Sequence, residues 1–123
     1  MTQFRELTDN EKKLARRLIH SGVREGDQIL KSALEGKVED IQDDDSLFYG
    51  TPNLKSGIHN IAVEAEYEDM DGVLATISVH TIESTLSEIE IWKADGSRLT
   101  APIDVDKVKV LWPAEKDKKG WWE

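Results

Sequence analysis

Between Asn60 and Trp92 the chain reads NIAVEAEYEDMDGVLATISVHTIESTLSEIEIW, three runs of alternating apolar and polar residues separated by two tight connections. A period of two sends successive side chains to opposite faces of a strand, so each run can bury one face only. Ile61, Val63, Ala65 and Tyr67 alternate with Ala62, Glu64 and Glu66. Val73, Ala75, Ile77 and Val79 alternate with Leu74, Thr76, Ser78 and His80, and Ser87, Ile89 and Ile91 with Leu86, Glu88, Glu90 and Trp92. Asp71-Gly72 and Asp95-Gly96 supply the positive φ that tight turns require. The expectation is an antiparallel meander whose apolar face includes Ile61, Val63, Ile77, Val79, Ile89 and Ile91. The opposite face would carry Thr76, Ser78 and His80 between two acidic strands, with Glu64 and Glu66 on one side and Glu88, Glu90 and Trp92 on the other. Like charges gathered on one face oppose folding, which points to a binding surface, although glutamate is also common on solvated strands.

The apolar face needs a cover, and the first third of the chain provides one. Thr8-Asp9-Asn10-Glu11 forms a capping box, in which the Thr8 hydroxyl and the Glu11 carboxylate satisfy each other's free backbone N–H groups. The helix that follows buries Leu14, Ala15, Leu18 and Ile19 and is expected to end near His20-Ser21-Gly22, with Gly22 as a left-handed terminator. Lys12, Lys13, Arg16 and Arg17 fall off that stripe, as a solvated face or a nucleic-acid contact. A second helix is expected from about Asp27 to Glu35, burying Ile29, Leu30, Ala33 and Leu34, with Gly36 past its end. The short link Gly22–Gly26 suggests an antiparallel helical hairpin.

Around these lie weaker signals. Val38 and Ile41 suggest a short strand over Lys37–Gln42; Asp43, Asp44 and Asp45 then open a loop in which Leu47, Phe48 and Tyr49 are expected to tuck onto the core. A last strand, Val105 to Trp112, would set Val108, Val110 and Trp112 on one face and Lys107 and Lys109 on the other, with Pro113 ending it. The expected fold class is α+β: an N-terminal helical hairpin on an antiparallel sheet of four to five strands, a single domain over 1–115, and a polar tail over 116–123 that carries Trp121 and Trp122.

Charge narrows the function. The net charge is −9, and residues 38–104 hold 15 acidic side chains against Lys55, Lys93 and Arg98. A field of that sign repels nucleic acid and speeds encounter with basic partners. No apolar run is long enough to span a bilayer and the N-terminus has no apolar signal core, so a cytoplasmic protein is expected. With no cysteine, disulfide and thiolate chemistry are excluded. His20, His59 and His80 show no metal-ligand spacing, the three aspartates lack the spacing of a calcium loop, and nucleophile-elbow, phosphate-loop and H-E-x-x-H motifs are missing. His80 beside Glu88 or Glu90 could form an acid–base pair, but glutamates on an open face without a pocket make poor catalysts. An enzyme, a metal site and a cofactor are therefore not expected.

Two segments carry a family pattern. FRELTDNEKKLARRLI contains R-x-L-T-x-x-E before an amphipathic helix, through Arg5, Leu7, Thr8 and Glu11. The later strand contains L-x-E-[LI]-E-[IF]-x-x-x-D-G, through Leu86, Glu88, Ile89, Glu90, Ile91, Asp95 and Gly96. In these the chain resembles a family of small bacterial proteins that look like immunity proteins encoded beside polymorphic or contact-dependent growth-inhibition toxins; residues 38–60 take no part in the match. The resemblance implies an antitoxin and supplies no catalytic residues. A nuclease toxin is typically basic because it binds phosphates, and an acidic protein could occupy that site. The expected partner is then a cognate basic toxin domain, most simply a nuclease, bound through Glu64, Glu66, His80, Glu88 and Glu90, with Trp92 or Tyr67 as an aromatic anchor and Asp43–Asp45 as a second candidate region. The alternative is a structural or regulatory protein that self-associates, as a homodimer, through its sheet edge or its Trp-bearing tail.

Overall fold

The computed structural model of the protein describes residues 4–39, 45–49 and 59–114. Two helices, α1 (Asp9–Leu18) and α2 (Gly26–Glu35), follow a two-residue strand, β1 (Phe4–Arg5). Then come β2 (Val38–Glu39), β3 (Leu47–Tyr49), β4 (His59–Glu68), β5 (Leu74–Ile82), β6 (Thr85–Lys93), a 3-10 turn at Val105–Lys107, and β7 (Lys109–Trp112). The fold is α+β. All seven strands form one sheet in the order β1-β2-β3-β6-β5-β4-β7, each pair antiparallel. Among the described residues seven strands replace the expected four to five: β2 falls within the short strand expected over Lys37–Gln42, and β1 and β3 are additional, two and three residues long and too short for alternation to mark them. Leu47–Tyr49 is one of these strands, not part of a loop: Leu47 and Tyr49 are buried, and Phe48 turns the other way.

The capping box at α1 is present in full. Glu11 N–H donates to Thr8 Oγ1 (3.1 Å), and Thr8 N–H donates to Glu11 Oε1 (2.8 Å). Arg5 grips the same carboxylate with both guanidinium nitrogens, at 2.7 and 2.8 Å, so β1 is tied to the first turn of the helix. Burial alone would raise the Glu11 pKa, but donation from Arg5 and Thr8 outweighs it and holds the carboxyl below its usual value. With Leu7 buried in the core, all four residues of the R-x-L-T-x-x-E motif have a structural task.

The end of α1 differs from the expectation. The helix stops at Leu18, with Ile19 as its cap, and Gly22 is not left-handed; among the described glycines that conformation belongs to Gly72 and Gly96, in the two Asp-Gly turns. Gly22 is needed for space instead, since a Cβ there would run into the Ala114 carbonyl oxygen and the His20 ring. Gly36 does follow α2 and lies against the Tyr49 ring. The off-stripe cations of α1 reach toward the chain's far end: Arg17 donates to the Val108 carbonyl (3.1 Å) and Lys13 lies 3.6 Å from Asp106.

One core joins the layers. Leu14, Ala15, Leu18 and Ile19 from α1 and Ile29, Leu30 and Ala33 from α2 pack with Val63, Ala65, Ile77, Val79, Leu86 and Ile89 from the sheet. Tyr49 donates its hydroxyl proton to the Ala33 carbonyl (3.2 Å), and burial, with the nearby Glu11 charge, pushes its pKa up. Tyr67 belongs to this core and accepts from Asp104 N–H (3.1 Å), so it is no anchor for a partner. The last strand begins only at Lys109, after the 3-10 turn, and an extra residue opposite β4 brings Trp112 to the same face as Lys109 rather than the face of Val110.

At the far end of the meander a lysine is buried. Lys93, 2 % exposed, donates from Nζ to Asp69 Oδ2 (2.9 Å), Asp71 Oδ2 (2.6 Å) and the Arg98 carbonyl (3.2 Å). Asp69 Oδ2 also accepts from Thr100 N–H (2.9 Å) and Oγ1 (3.1 Å). This cluster ties the β4–β5 turn to the end of β6 and to the segment beyond it. A buried charge is tolerated only when paired and hydrogen-bonded in this way. Burial alone would raise the Asp69 pKa, yet donation from Thr100 and Lys93 prevails and holds it at about 2. The Asp71 carboxylate above all, working against burial, raises the Lys93 pKa.

Between about 2 and the ordinary 3.8, the unfolded chain binds a proton at Asp69 that the folded chain does not. The stability Asp69 contributes is therefore present above that window and lost as pH falls through it. In urea titrations at stepped pH, Asp69→Asn is expected to cost about 3 kcal/mol at neutral pH and to make the acid limb shallower. An unchanged acid limb would show that the pair does not couple folding to pH.

Candidate functional site

Two irregularities decide what the open face of the sheet presents. In β4 the register shifts between Ile61 and Val63, so that Ile61 opposes His80 and Val63 opposes Val79. In β6 it shifts beside His80, so that Glu88 opposes His80 and Leu86 opposes Thr81, leaving Ser87 as the extra residue. Each shift reverses the alternation on one side of it. Ile61, expected in the core, stands 47 % exposed on the open face, and Leu86, expected beside the glutamates, is buried in the core. The Ser87 hydroxyl donates to the His80 carbonyl (3.0 Å) and so occupies a backbone acceptor at the irregularity.

Cross-strand partners share a face, so the register writes out the open face as three rows. The first is Lys109–Glu66–Thr76–Trp92 and the second Trp112–Glu64–Ser78–Glu90. The third crosses six strands: Ile61–His80–Glu88–Phe48–Glu39–Phe4. Glutamates thus lie on both sides of β5, the middle strand of the meander, interleaved with exposed aromatics. Trp92 is 59 % and Trp112 56 % exposed. In these rows five glutamates face one lysine.

The face is partly pre-organised by its own hydrogen bonds. Ser78 Oγ donates to Glu64 Oε2 (2.9 Å), and His80 Nε2 lies 3.1 Å from Glu90 Oε1. His80 therefore meets Glu90 diagonally rather than Glu88, its cross-strand partner. Asp45 is used internally: it accepts from Leu99 N–H (2.8 Å) and Arg98 (3.2 Å) and fastens the segment after β6. Asp43 and Asp44 lie outside the described residues, as do Ile41, Gln42 and the tail with Trp121 and Trp122. Among the described residues no cluster of three or more metal-ligating side chains occurs, and no helix is long and apolar enough to cross a membrane.

Phe4, Glu39, Phe48, Ile61 and Trp112 were not marked by sequence reasoning as members of this surface. For Ile61 and Trp112 the alternation pointed to the wrong side of the irregularities, and for the others the strands are too short to carry a period.

At one corner of the face the sheet meets the α1–α2 connection in an open cleft of about 660 Å³. Ile61 and Trp112 line it together with Arg24, Glu25, Glu83 and Ser84. Among the described residues, Glu25 (φ 57°), Glu83 (φ 47°) and Ser84 (φ 64°) are the non-glycine residues with positive φ. Glu83 and Ser84 form the two-residue β5–β6 connection, closed by the Ile82–Thr85 pair. Positive φ at both central positions is the arrangement that Asn-Gly serves best, and side chains held there cost about 1–3 kcal/mol each.

Comparison with known proteins assigns the chain a family but no activity. Residues 4–102 match the model of a domain of unknown function (DUF6984), and the chain belongs to that family. No curated protein and no solved structure matches it. The matched span contains β1 through β6 and most of the open face; β7, with Lys109 and Trp112, lies beyond it.

If the glutamates are held together at an electrostatic cost, removing their charge without changing their shape should stabilise the fold. Glu64→Gln, Glu66→Gln, Glu88→Gln and Glu90→Gln combined are expected to gain about 1 kcal/mol at low ionic strength, shrinking as salt is added. Urea midpoints at two salt concentrations measure this, and a loss of stability would mean the carboxylates serve the fold itself.

Proposed function

We propose that this chain is an immunity protein, which binds a basic toxin domain through the open face of its sheet and blocks it. The observation that carries this reading is the pattern of the face: glutamates flanking β5 and interleaved with the exposed rings of Trp92 and Trp112 and the half-buried ring of Phe48. Aromatic rings give a protein interface its desolvated centre, and the surrounding charges give selectivity and speed of encounter. A toxin that cleaves nucleic acid would present lysine and arginine where a phosphate backbone lies, and carboxylates set in rows can replace that backbone. A nuclease is accordingly the toxin class best suited to this surface. The resemblance of the Arg5–Glu11 and Leu86–Gly96 motifs to immunity proteins supports the same role.

A second reading, self-association, draws on β7, one of the two edge strands among the described residues, where Leu111 and Trp112 are both exposed. An exposed apolar edge is a ready template for pairing with a second copy. The two readings differ in salt dependence, because an apolar edge pairing is insensitive to ionic strength and a charge-steered complex is not.

The test is co-expression with the toxic C-terminal domain of the protein encoded beside this one. Growth is expected to be restored, and a one-to-one complex to co-purify at low salt and weaken at high salt. Glu88→Lys/Glu90→Lys should abolish protection and slow association by about tenfold or more. Full protection by the charge-reversed variant would remove the acidic face from the mechanism. A salt-insensitive homodimer without rescue would favour self-association.

A further inference from the structure

We infer that the cleft at the Ile61–Trp112 corner is a binding site for an arginine side chain of another protein. The inference names the group that the proposed toxin would insert, and to that extent it rests on the immunity reading.

Strain is the first argument. The β5–β6 connection holds Glu83 and Ser84 at positive φ, where Asn-Gly would relieve the cost without changing the hairpin. Glu25 holds the same unfavourable backbone at the start of α2, yet its side chain makes no capping bond there. Three residues keep side chains at positions where local structure favours their loss, and all three line one cleft. Strain gathered in this way marks a site whose side chains are used.

The lining sets the chemistry. Among the described residues its charged groups are Glu25 and Glu83 against Arg24, and Glu64 stands beside Trp112 in the adjoining row. The excess is negative, so the ligand group is a cation. The walls include Ile61 and the Trp112 indole, both largely exposed and both ends of rows on the acidic face. A planar guanidinium stacks on an indole and forks onto carboxylates at once, whereas an ammonium is a compact, strongly hydrated point charge. The cleft therefore suits arginine better than lysine. A protein lying across the glutamate rows would reach it without leaving the surface.

The test uses N-acetyl-arginine amide as the probe and the neutral isostere N-acetyl-citrulline amide as its control. Both are titrated into the isotopically labelled full chain while the indole N–H resonances are followed by NMR. The arginine amide is expected to shift the Trp112 resonance and to bind about tenfold more tightly than the citrulline amide. Trp112→Leu assigns that resonance, and Glu83→Gln should remove the preference for arginine. The decisive variant is Glu83→Asn/Ser84→Gly, which relieves the turn: its melting temperature should rise while arginine binding is lost. Equal binding of the two amides, no binding of either, or retained binding in the relieved-turn variant would each overturn the inference. Those outcomes need no toxin, so they are distinguishable from a failure of the immunity reading in co-expression.

Discussion

Two helices of ten residues cover one side of a seven-stranded sheet, and among the described residues the other side meets water. Nearly every other feature follows from that one-sided burial. It requires a single apolar face on the sheet, which Val63, Ile77, Val79 and Ile89 provide at almost complete burial. It also requires that whatever remains on the second face be either solvated or used. What remains is a set of glutamates among tryptophans and phenylalanines, whose like charges gathered on one face oppose folding. The fold thus isolates a charged, aromatic surface on a rigid sheet and leaves the helices free of any part in it.

Much of this was legible in the chain. The Thr8–Glu11 capping box, the apolar stripes of both helices, the Asp-Gly turns and the three-stranded meander all follow from local periodicity and turn chemistry. So did the placement of Glu64, Glu66, His80, Glu88, Glu90 and Trp92 on one face. What escaped did so for physical reasons. The irregularities near Ala62 and Ser87 invert the alternation without a marker residue such as glycine, and so exchange Ile61 and Leu86 between faces. Strands of two or three residues show no period, so Phe4 and Phe48 could not be joined to the surface, and the strand expected around Glu39 carried no sign of which face it would show. Gly22 looked like a helix terminator because glycine serves both torsion and space, and here space decides.

The charge tally also misleads when it is read as a sum. Of the cations in the acidic middle, Lys93 is enclosed by Asp69 and Asp71, and Arg98 meets Asp45. These acids stabilise the turns at the far end of the meander and are not offered to a partner. The carboxylates of the open face are a separate population, whose contacts with Ser78 and His80 orient them and leave them at the surface. The distinction between acids that hold the fold and acids that face outward is geometric, and it sharpens the proposed role. Asp45 drops out of the candidate surface, while Glu39 joins it.

The central claim is that the glutamate rows draw in a basic protein. The most direct measurement is the association rate of this chain with the proposed toxin partner as a function of ionic strength, for the natural protein and for the variant with Glu64, Glu66, Glu88 and Glu90 changed to glutamine. The account predicts a steep fall in rate with added salt for the natural protein, nearly flat for the variant, with the two converging at high salt. Equal rates with equal salt dependence would contradict it, because the face would then contribute nothing to the encounter.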